Sequence, residues 1–212
     1  YHSGCVETTL LSVKGIKVIY PSNAADMKGL MKAAFLDPNP VVVLEHKGLY
    51  WSKVPGTEEA KSIEPSRDYI IPLGKAAVVQ QADQHRADTG ETVCIITYGM
   101  SVYWAKAAAK NFPGQVEIID LRTLYPLDET LVFETVKKHG KCLVLTEEQQ
   151  TNSFAEAFAA RISNRCFKYL DAPVEVLGAL DLPAVPMNVI LESAMLPSAD
   201  KVTEALRKIF AW

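Results

Sequence analysis

The sequence contains no apolar run approaching the ~20 residues that a bilayer-spanning helix needs, and its start carries no secretory signal pattern. It has no Lys/Arg block, and its formal net charge is -3. A broad nucleic-acid or anionic-membrane surface needs clustered positive charge, so neither partner is expected. Four cysteines are present, Cys5, Cys94, Cys142 and Cys166, and no two stand at CxxC spacing. That pattern speaks against a disulfide framework or a zinc site. Cys94 and Cys142 sit in the apolar runs 92–96 and 141–145 and read as buried free thiols. Free thiols fit a reducing, cytoplasmic location. Also missing are a P-loop, a GxGxxG turn, a GxSxG elbow and an HExxH pair. No initiator Met is present, and a start at Tyr1-His2-Ser3 reads as a product whose upstream portion is missing.

Hydrophobic residues make up 49% of the 212 and charged residues 22%, which supplies a core and argues against disorder. The apolar period changes repeatedly along the chain. Residues 17–20 read as a buried strand closed by Pro21. Ser22-Asn23 then offers capping oxygens, with Asp26 in the first turn of a helix over 25–35. Asp37-Pro38-Asn39-Pro40 stops that helix, and Val41–Leu44 reads as a strand buried on both faces. Residues 50–72, punctuated by Pro55, Gly56, Pro65 and Pro72, read as a linker. Beyond it, strands are predicted at 75–81, 92–97, 116–120, 141–145 and 174–177. Helices are predicted at 101–110, 128–138, 154–169 and 198–210, with Asp128 and Ser198 as caps and Gly140 as a stop. This alternation predicts an α/β fold with a mostly parallel sheet covered on both faces.

Chemistry is harder to find. Glu147-Glu148 directly follows a strand, at the edge where open α/β sheets bind ligands. Neighbours on an extended chain point opposite ways, so at least one of the two is expected to be structural. Gly99-Met100-Ser101 could seat a phosphate at a helix start or simply turn the chain. His46, His85 and His139 stand in polar contexts and read as surface or loop residues. Composition gives His2 no special role. From the residues alone, this is an α/β protein without a self-contained active site.

Several stretches, taken in order, resemble one family. Tyr1-His2-Ser3-Gly4 is similar to a Pro-aromatic-His-Ser-Gln opening, with Gly4 in place of Gln. Gly15–Ser22, Asp26–Leu30, Asp37–Val41 and Leu44-Glu45-His46-Lys47 followed by Leu49-Tyr50 continue the likeness. So do Ile96–Gly99, Asp120–Asp128, Tyr169–Val174 and Leu196-Pro197-Ser198. Together they resemble the β-type chain of the decarboxylating component of 2-oxoacid dehydrogenases, in the transketolase superfamily.

The resemblance implies that residues 1–48 end a pyrimidine-binding domain and that residues 49–72 link it to a transketolase C-terminal-type domain at 73–212. It implies thiamine diphosphate with magnesium as cofactor, held mainly by missing portions or a partner chain. The family's activating glutamate would lie upstream, and Glu45 matches a different family position. The implied reaction is decarboxylation of a 2-oxoacid and acylation of the lipoyl-lysine of an acyltransferase core, with this stretch inactive alone. His2 aligns with the family's active-site histidine, and an imidazole titrating near neutrality can exchange protons with the reacting groups. The departure at Gly4 leaves the neighbouring contacts open. Ala34, Asp37 and Asn39 fall in a turn that binds potassium in some members. Their oxygens suit a hard cation, although Asp and Asn beside prolines also turn a chain for local reasons. Arg122 could pair across an interface or form an ordinary salt bridge. The implied partners are an α-type chain or domain, the dihydrolipoyl acyltransferase core and further copies of the chain. Glu45-His46-Lys47 leans towards branched-chain or acetoin members over pyruvate members. The alternatives are a non-catalytic dimerisation or core-docking module, a pyruvate or acetoin dehydrogenase, and another transketolase-superfamily enzyme.

Overall fold

The computed structural model describes residues 4–212. The chain opens with α1 (Glu7–Ser12), β1 (Lys17–Ile19), α2 (Ala24–Leu36) and β2 (Val41–Val43). Short 3-10 turns at Lys47–Leu49 and Glu58–Ala60 follow, and this stretch is anchored by the buried Leu49, Ala60 and Ile71. Next come β3 (Ala77–Gln80), α3 (Gln84–Asp88), β4 (Val93–Thr97), α4 (Ser101–Ala109), β5 (Val116–Asp120) and β6 (Thr123–Tyr125). The chain closes with α5 (Glu129–His139), β7 (Cys142–Gln149), α6 (Phe154–Cys166), β8 (Glu175–Ala179), α7 (Val189–Met195) and α8 (Ala199–Phe210).

The larger sheet runs β3-β5-β4-β7-β8. Its β4–β5, β4–β7 and β7–β8 pairs are parallel, and only the edge strand β3 is antiparallel. This explains why β4 reads Val-Cys-Ile-Ile-Thr without alternation: both of its faces are covered. Cys94, Ile96, Ile119 and Val144 pack under Val132 and Val136 of α5 and Phe158 and Ile162 of α6. Ile95, Ile118, Leu143 and Leu145 pack under Ala105 of α4 and Val202, Leu206 and Ile209 of α8. Each fully buried Ile or Leu contributes about 1.5–3 kcal/mol. Cys94 and Cys142 are free and buried, as their apolar runs predict, and Cys166 is free and buried as well.

The smaller sheet runs β2-β1-β6. Its first two strands are parallel, and β6, reaching back from the larger unit, pairs antiparallel with β1. The predicted caps form: Asn23, Asp128 and Ser198 side chains accept from the amides of Asp26, Leu131 and Lys201. Gly140 ends α5 at φ 67, and a Cβ there would lie 2.1 Å from Asp171 Oδ2.

Four elements were not anticipated: α1, α3, β6 and α7. α1 (ETTLLS) has no side-chain cap and rests on tertiary contacts, its Leu10 and Leu11 packing on the main core. α7 follows a proline-rich stretch and is held from both ends. Asn188 caps its start, and Lys201 Nζ donates to the carbonyls of Ser193, Ala194 and Leu196 at 3.2, 2.7 and 2.5 Å. The helix read through residue 169 ends at Cys166 and tightens into a 3-10 turn over Phe167–Tyr169. Among the described residues no helix is long and apolar enough to cross a membrane.

Candidate active-site cleft

The carboxyl end of β7 delivers Glu147 and Glu148 to the sheet edge where ligands of open α/β folds bind. Here the segment from Gly4 to Thr8, the loop after β2 and the stretch before α7 converge. They enclose a cleft of about 620 Å³ whose walls include Gly4, Cys5, Tyr20, His46, Glu147 and Glu192. A second hollow of about 340 Å³ lies on the far side of Glu147 and touches Thr8, Glu148 and Ser153.

The two adjacent glutamates do different jobs, as their extended backbone requires. Glu148 is structural. Its carboxylate accepts from Thr8 N at 3.0 Å, Thr8 Oγ1 at 2.8 Å and Phe154 N at 3.4 Å, joining α1 to the start of α6. Glu147 faces the cleft, with Oε1 3.3 Å from His46 Nε2. Among the described residues, its Oε2 and His46 Nδ1 are buried without a hydrogen-bond partner. His46 is therefore a half-buried cleft residue and not a surface one, because the end of β2 carries it across to β7.

Glu7 lies behind this pair. It is 1% exposed, and among the described residues its carboxylate oxygens have no well-formed hydrogen bond. Burial pushes its carboxyl up to about 7, opposed by the backbone amides of Glu7 and Val6 and reinforced by the negative charges of Glu148 and Glu147. Burial and the same carboxylates also raise the Cys5 thiol, and burial with Glu147 and Glu7 raises the Tyr20 hydroxyl. The local field is acidic. Sequence reading missed Glu7 because its neighbours Thr8 and Thr9 give no apolar pattern. The Glu147-Glu148 doublet after a strand was the one available signal.

The remaining predicted residues fall elsewhere. His2 lies outside the described residues. His85 is exposed, as read, but His139 is buried. That histidine sits at the opposite edge of the sheet, with Nδ1 2.6 Å from Thr92 Oγ1 and Nε2 3.4 Å from Glu117 Oε2. Lys138 Nζ donates to the same Glu117 oxygen at 2.8 Å. Burial alone would raise the Glu117 carboxyl, but His139 and Lys138 outweigh it and hold the group at about 2. Gly99 turns the chain into α4 at φ 57, and a Cβ there would lie 2.8 Å from the Tyr20 ring.

Ala34, Asp37 and Asn39 do come together. Asp37 N donates to Ala34 O at 3.2 Å, and Asn39 N and Nδ2 donate to Asp37 Oδ1 at 2.9 and 3.0 Å. The other Asp37 oxygen pairs with Lys17 Nζ, and these bonds hold the carboxyl at about 2. A cation here would have to displace Lys17. Among the described residues no cluster of three or more His, Cys, Asp or Glu could hold a metal ion.

Arg122 bridges the two sheets. Its guanidinium grips the buried Asp26 carboxylate through Nε and an Nη at 2.7 and 2.8 Å. Its amide donates to Asp120 Oδ1 at 3.0 Å, while Ser22 Oγ donates to Asp120 Oδ2 at 2.5 Å. Burial raises the Asp120 carboxyl to about 6 despite these bonds.

The cleft does not fit a diphosphate. Among the described residues, Lys47 is the one lysine or arginine that lines it, beside Glu45 and Glu147, so it lacks the cluster of cations that the phosphate end of thiamine diphosphate needs.

A family model described as transketolase, C-terminal domain, matches residues 81–202. One described as transketolase, pyrimidine binding domain, matches residues 1–52. The chain is 36% identical over 212 residues to the 2-oxoisovalerate dehydrogenase subunit beta of Bacillus subtilis (strain 168), covering 99% of this chain and 60% of that protein. It is 35% identical over 211 residues to the pyruvate dehydrogenase E1 component subunit beta of Rhizobium meliloti (strain 1021), covering 98% of this chain and 42% of that protein. Among solved structures, a chain titled split gene transketolase, inactive beta4 tetramer, superposes with a TM-score of 0.70 at 20% identity, covering 99% of this chain and 62% of that one. The chain thus spans 60% and 42% of the lengths of these two curated relatives.

Proposed function

Because this chain belongs to the transketolase family, whose C-terminal domain it carries at residues 81–202, we propose that it is the C-terminal part of the β-type chain of a thiamine diphosphate-dependent 2-oxoacid dehydrogenase. The carrying observation is the co-linear likeness to 2-oxoisovalerate dehydrogenase subunit beta over 99% of the chain. In this reading the enzyme decarboxylates a branched-chain 2-oxoacid and passes the acyl group to lipoyl-lysine of an acyltransferase core. The pyruvate relatives stand at nearly the same identity, so the branched-chain assignment leans on Glu45-His46-Lys47. His2 is the catalytic imidazole, two residues before Gly4 on the cleft wall. Thiamine diphosphate and its magnesium are gripped mainly by other polypeptide, in keeping with the acidic lining of the cleft. An α-type partner and further copies complete the pocket, in the cytoplasm. Potassium at Ala34, Asp37 and Asn39 requires Lys17 to withdraw.

The non-catalytic module remains a second reading, favoured by one patch. Met187, Val189, Ile190 and Leu191, at and before the start of α7, are exposed apolar side chains of the kind that docking surfaces present.

The test is an assay of decarboxylation and lipoyl acylation with 3-methyl-2-oxobutanoate, pyruvate and acetoin. It uses this chain joined to an upstream pyrimidine-binding half and an α-type partner. Turnover of the branched substrate, abolished by His2→Ala at the acylation step, is expected. Wild-type acylation by His2→Ala would refute the role given to His2. By calorimetry the chain alone is expected not to bind thiamine diphosphate, and micromolar binding would overturn the view that its other walls lie elsewhere.

A further inference from the structure

Helix α1 cannot place itself. It has six residues, ETTLLS, and no side chain caps its start. Isolated helices shorter than about 12 residues are marginal in water, and the β-branched Thr8 and Thr9 lower the propensity further. Glu7 is 1% exposed, and burying a carboxylate without well-formed bonds is costly. Leu10 and Leu11 pack on the main core. That contact is non-directional and lies in the half of the helix away from Gly4 and Cys5.

Glu148 supplies the missing anchor. Its carboxylate accepts from Thr8 N at 3.0 Å and Thr8 Oγ1 at 2.8 Å. It thus takes the capping role that Val6, at the cap position, has no oxygen to fill. Phe154 N, the first amide of α6, donates to Thr8 Oγ1 at 2.7 Å, so one hydroxyl serves both helix starts. Glu148 is itself held fast. Its amide donates to Thr146 Oγ1 at 3.1 Å, and that oxygen lies 2.7 Å from the Tyr98 hydroxyl. Gly178 of β8 passes so near that a Cβ there would lie 2.7 Å from the Glu148 carbonyl oxygen. The central sheet therefore fixes the start of α1, and with it the segment whose Gly4 and Cys5 line the cleft.

We propose that Glu148, acting through Thr8, is a positioning residue that sets where the segment ahead of α1 enters the cleft, and thereby where His2 acts. This rests on the reading of His2, six positions before Thr8 in the sequence, as the catalytic imidazole. Misplacing a reacting group by about 1 Å can cost about 10²-fold in rate, so an anchor of short directional bonds matters more to turnover than to the fold.

In the full 212-residue chain, Cys5 is half-buried while Cys94, Cys142 and Cys166 are buried. Iodoacetamide labelling followed by peptide mass spectrometry therefore reports local release of the segment separately from global opening. Thr8→Val and Glu148→Ala are expected to speed Cys5 labelling by about tenfold or more and to leave the other three thiols slow, while Thr8→Ser keeps the wild-type rate. Thr8→Val decides if Glu148→Ala fails to fold. Unchanged Cys5 labelling in folded Thr8→Val, or equal acceleration of all four thiols, overturns the proposal. In the assembly with an upstream pyrimidine-binding half and an α-type partner, Thr8→Val is expected to slow lipoyl acylation by about tenfold or more. Thr8→Ser restores the rate, and Thr8→Val adds no further loss in a His2→Ala background. An equal loss in both backgrounds overturns the proposal. Wild-type acylation by His2→Ala would instead refute the role given to His2, and Cys5 labelling would still decide whether Glu148 anchors the segment.

Discussion

Asp26→Ala is the sharpest test of how the two sheets are held together. The substitution leaves the Arg122 guanidinium, 19% exposed, without the carboxylate that receives it at 2.7 and 2.8 Å. Breaking a buried ion pair on one side typically costs about 3–5 kcal/mol, and partial exposure of Arg122 argues for the lower end, about 3 kcal/mol. For a chain of this size each kcal/mol lowers the melting temperature by about 2–4 °C, so a fall of roughly 6–12 °C is expected by calorimetry. A double-mutant cycle with Arg122→Ala then isolates the pair, with a coupling energy of about 1–3 kcal/mol. Arg122 adds a second handle because its backbone sits at φ 58, a left-handed conformation that costs a non-glycine residue about 1–2 kcal/mol. Arg122→Gly should therefore be more stable than Arg122→Ala by about that amount, which separates backbone strain from side-chain pairing. Urea denaturation of the four variants supplies the values. A coupling energy under about 0.5 kcal/mol, within the scatter of independent sites, would refute the reasoning that this pair clamps the sheets.

Three further outcomes are expected. Glu7 rises from its ordinary 4.5 to about 7 on folding, so the stability linked to its proton is full below the lower value and lost as pH climbs through the higher one. Glu7→Gln should flatten that decline, by about 3 kcal/mol at most, and urea midpoints that fall equally in both proteins would contradict it. Glu117 moves the other way, from 4.5 to about 2, so its contribution is present above about 4.5 and vanishes as pH falls towards 2. Glu117→Gln should be less stable than wild type at neutral pH but equal to it in strong acid, and a constant difference would be inconsistent with the His139–Lys138 clasp. Gly99→Ala should lose about 2–4 kcal/mol from the left-handed backbone and the contact with Tyr20, and an unchanged melting temperature would rule out that contact.

The larger sheet was legible because β4, β5 and β7 are uninterrupted apolar runs, which both-face burial demands. Asn23, Asp128, Ser198 and Gly140 announced their helix ends through side-chain or backbone chemistry that acts within a few residues. Elements without such local signals escaped notice. β6 is three residues long and exists because β1 offers it an edge, while α3 is barely one turn. The cleft was half visible. Glu147-Glu148 could be placed at the ligand edge from the strand before it, but pairing His46 with Glu147 depends on a contact 101 positions apart. His139 was misread for the same reason, since Thr92 and Glu117 bury it from two other strands or their approaches.

The return of β6 to β1 has a consequence for cutting the chain. A protease nick anywhere between Trp51 and Pro72 would sever the covalent path but leave Thr123–Tyr125 laced to Lys17–Ile19. The halves would still travel as one particle through a sizing column, separating only in denaturant. A boundary drawn at that stretch for cloning would strand β1 without a neighbour on one side, so the seam in the sequence is not a seam in space.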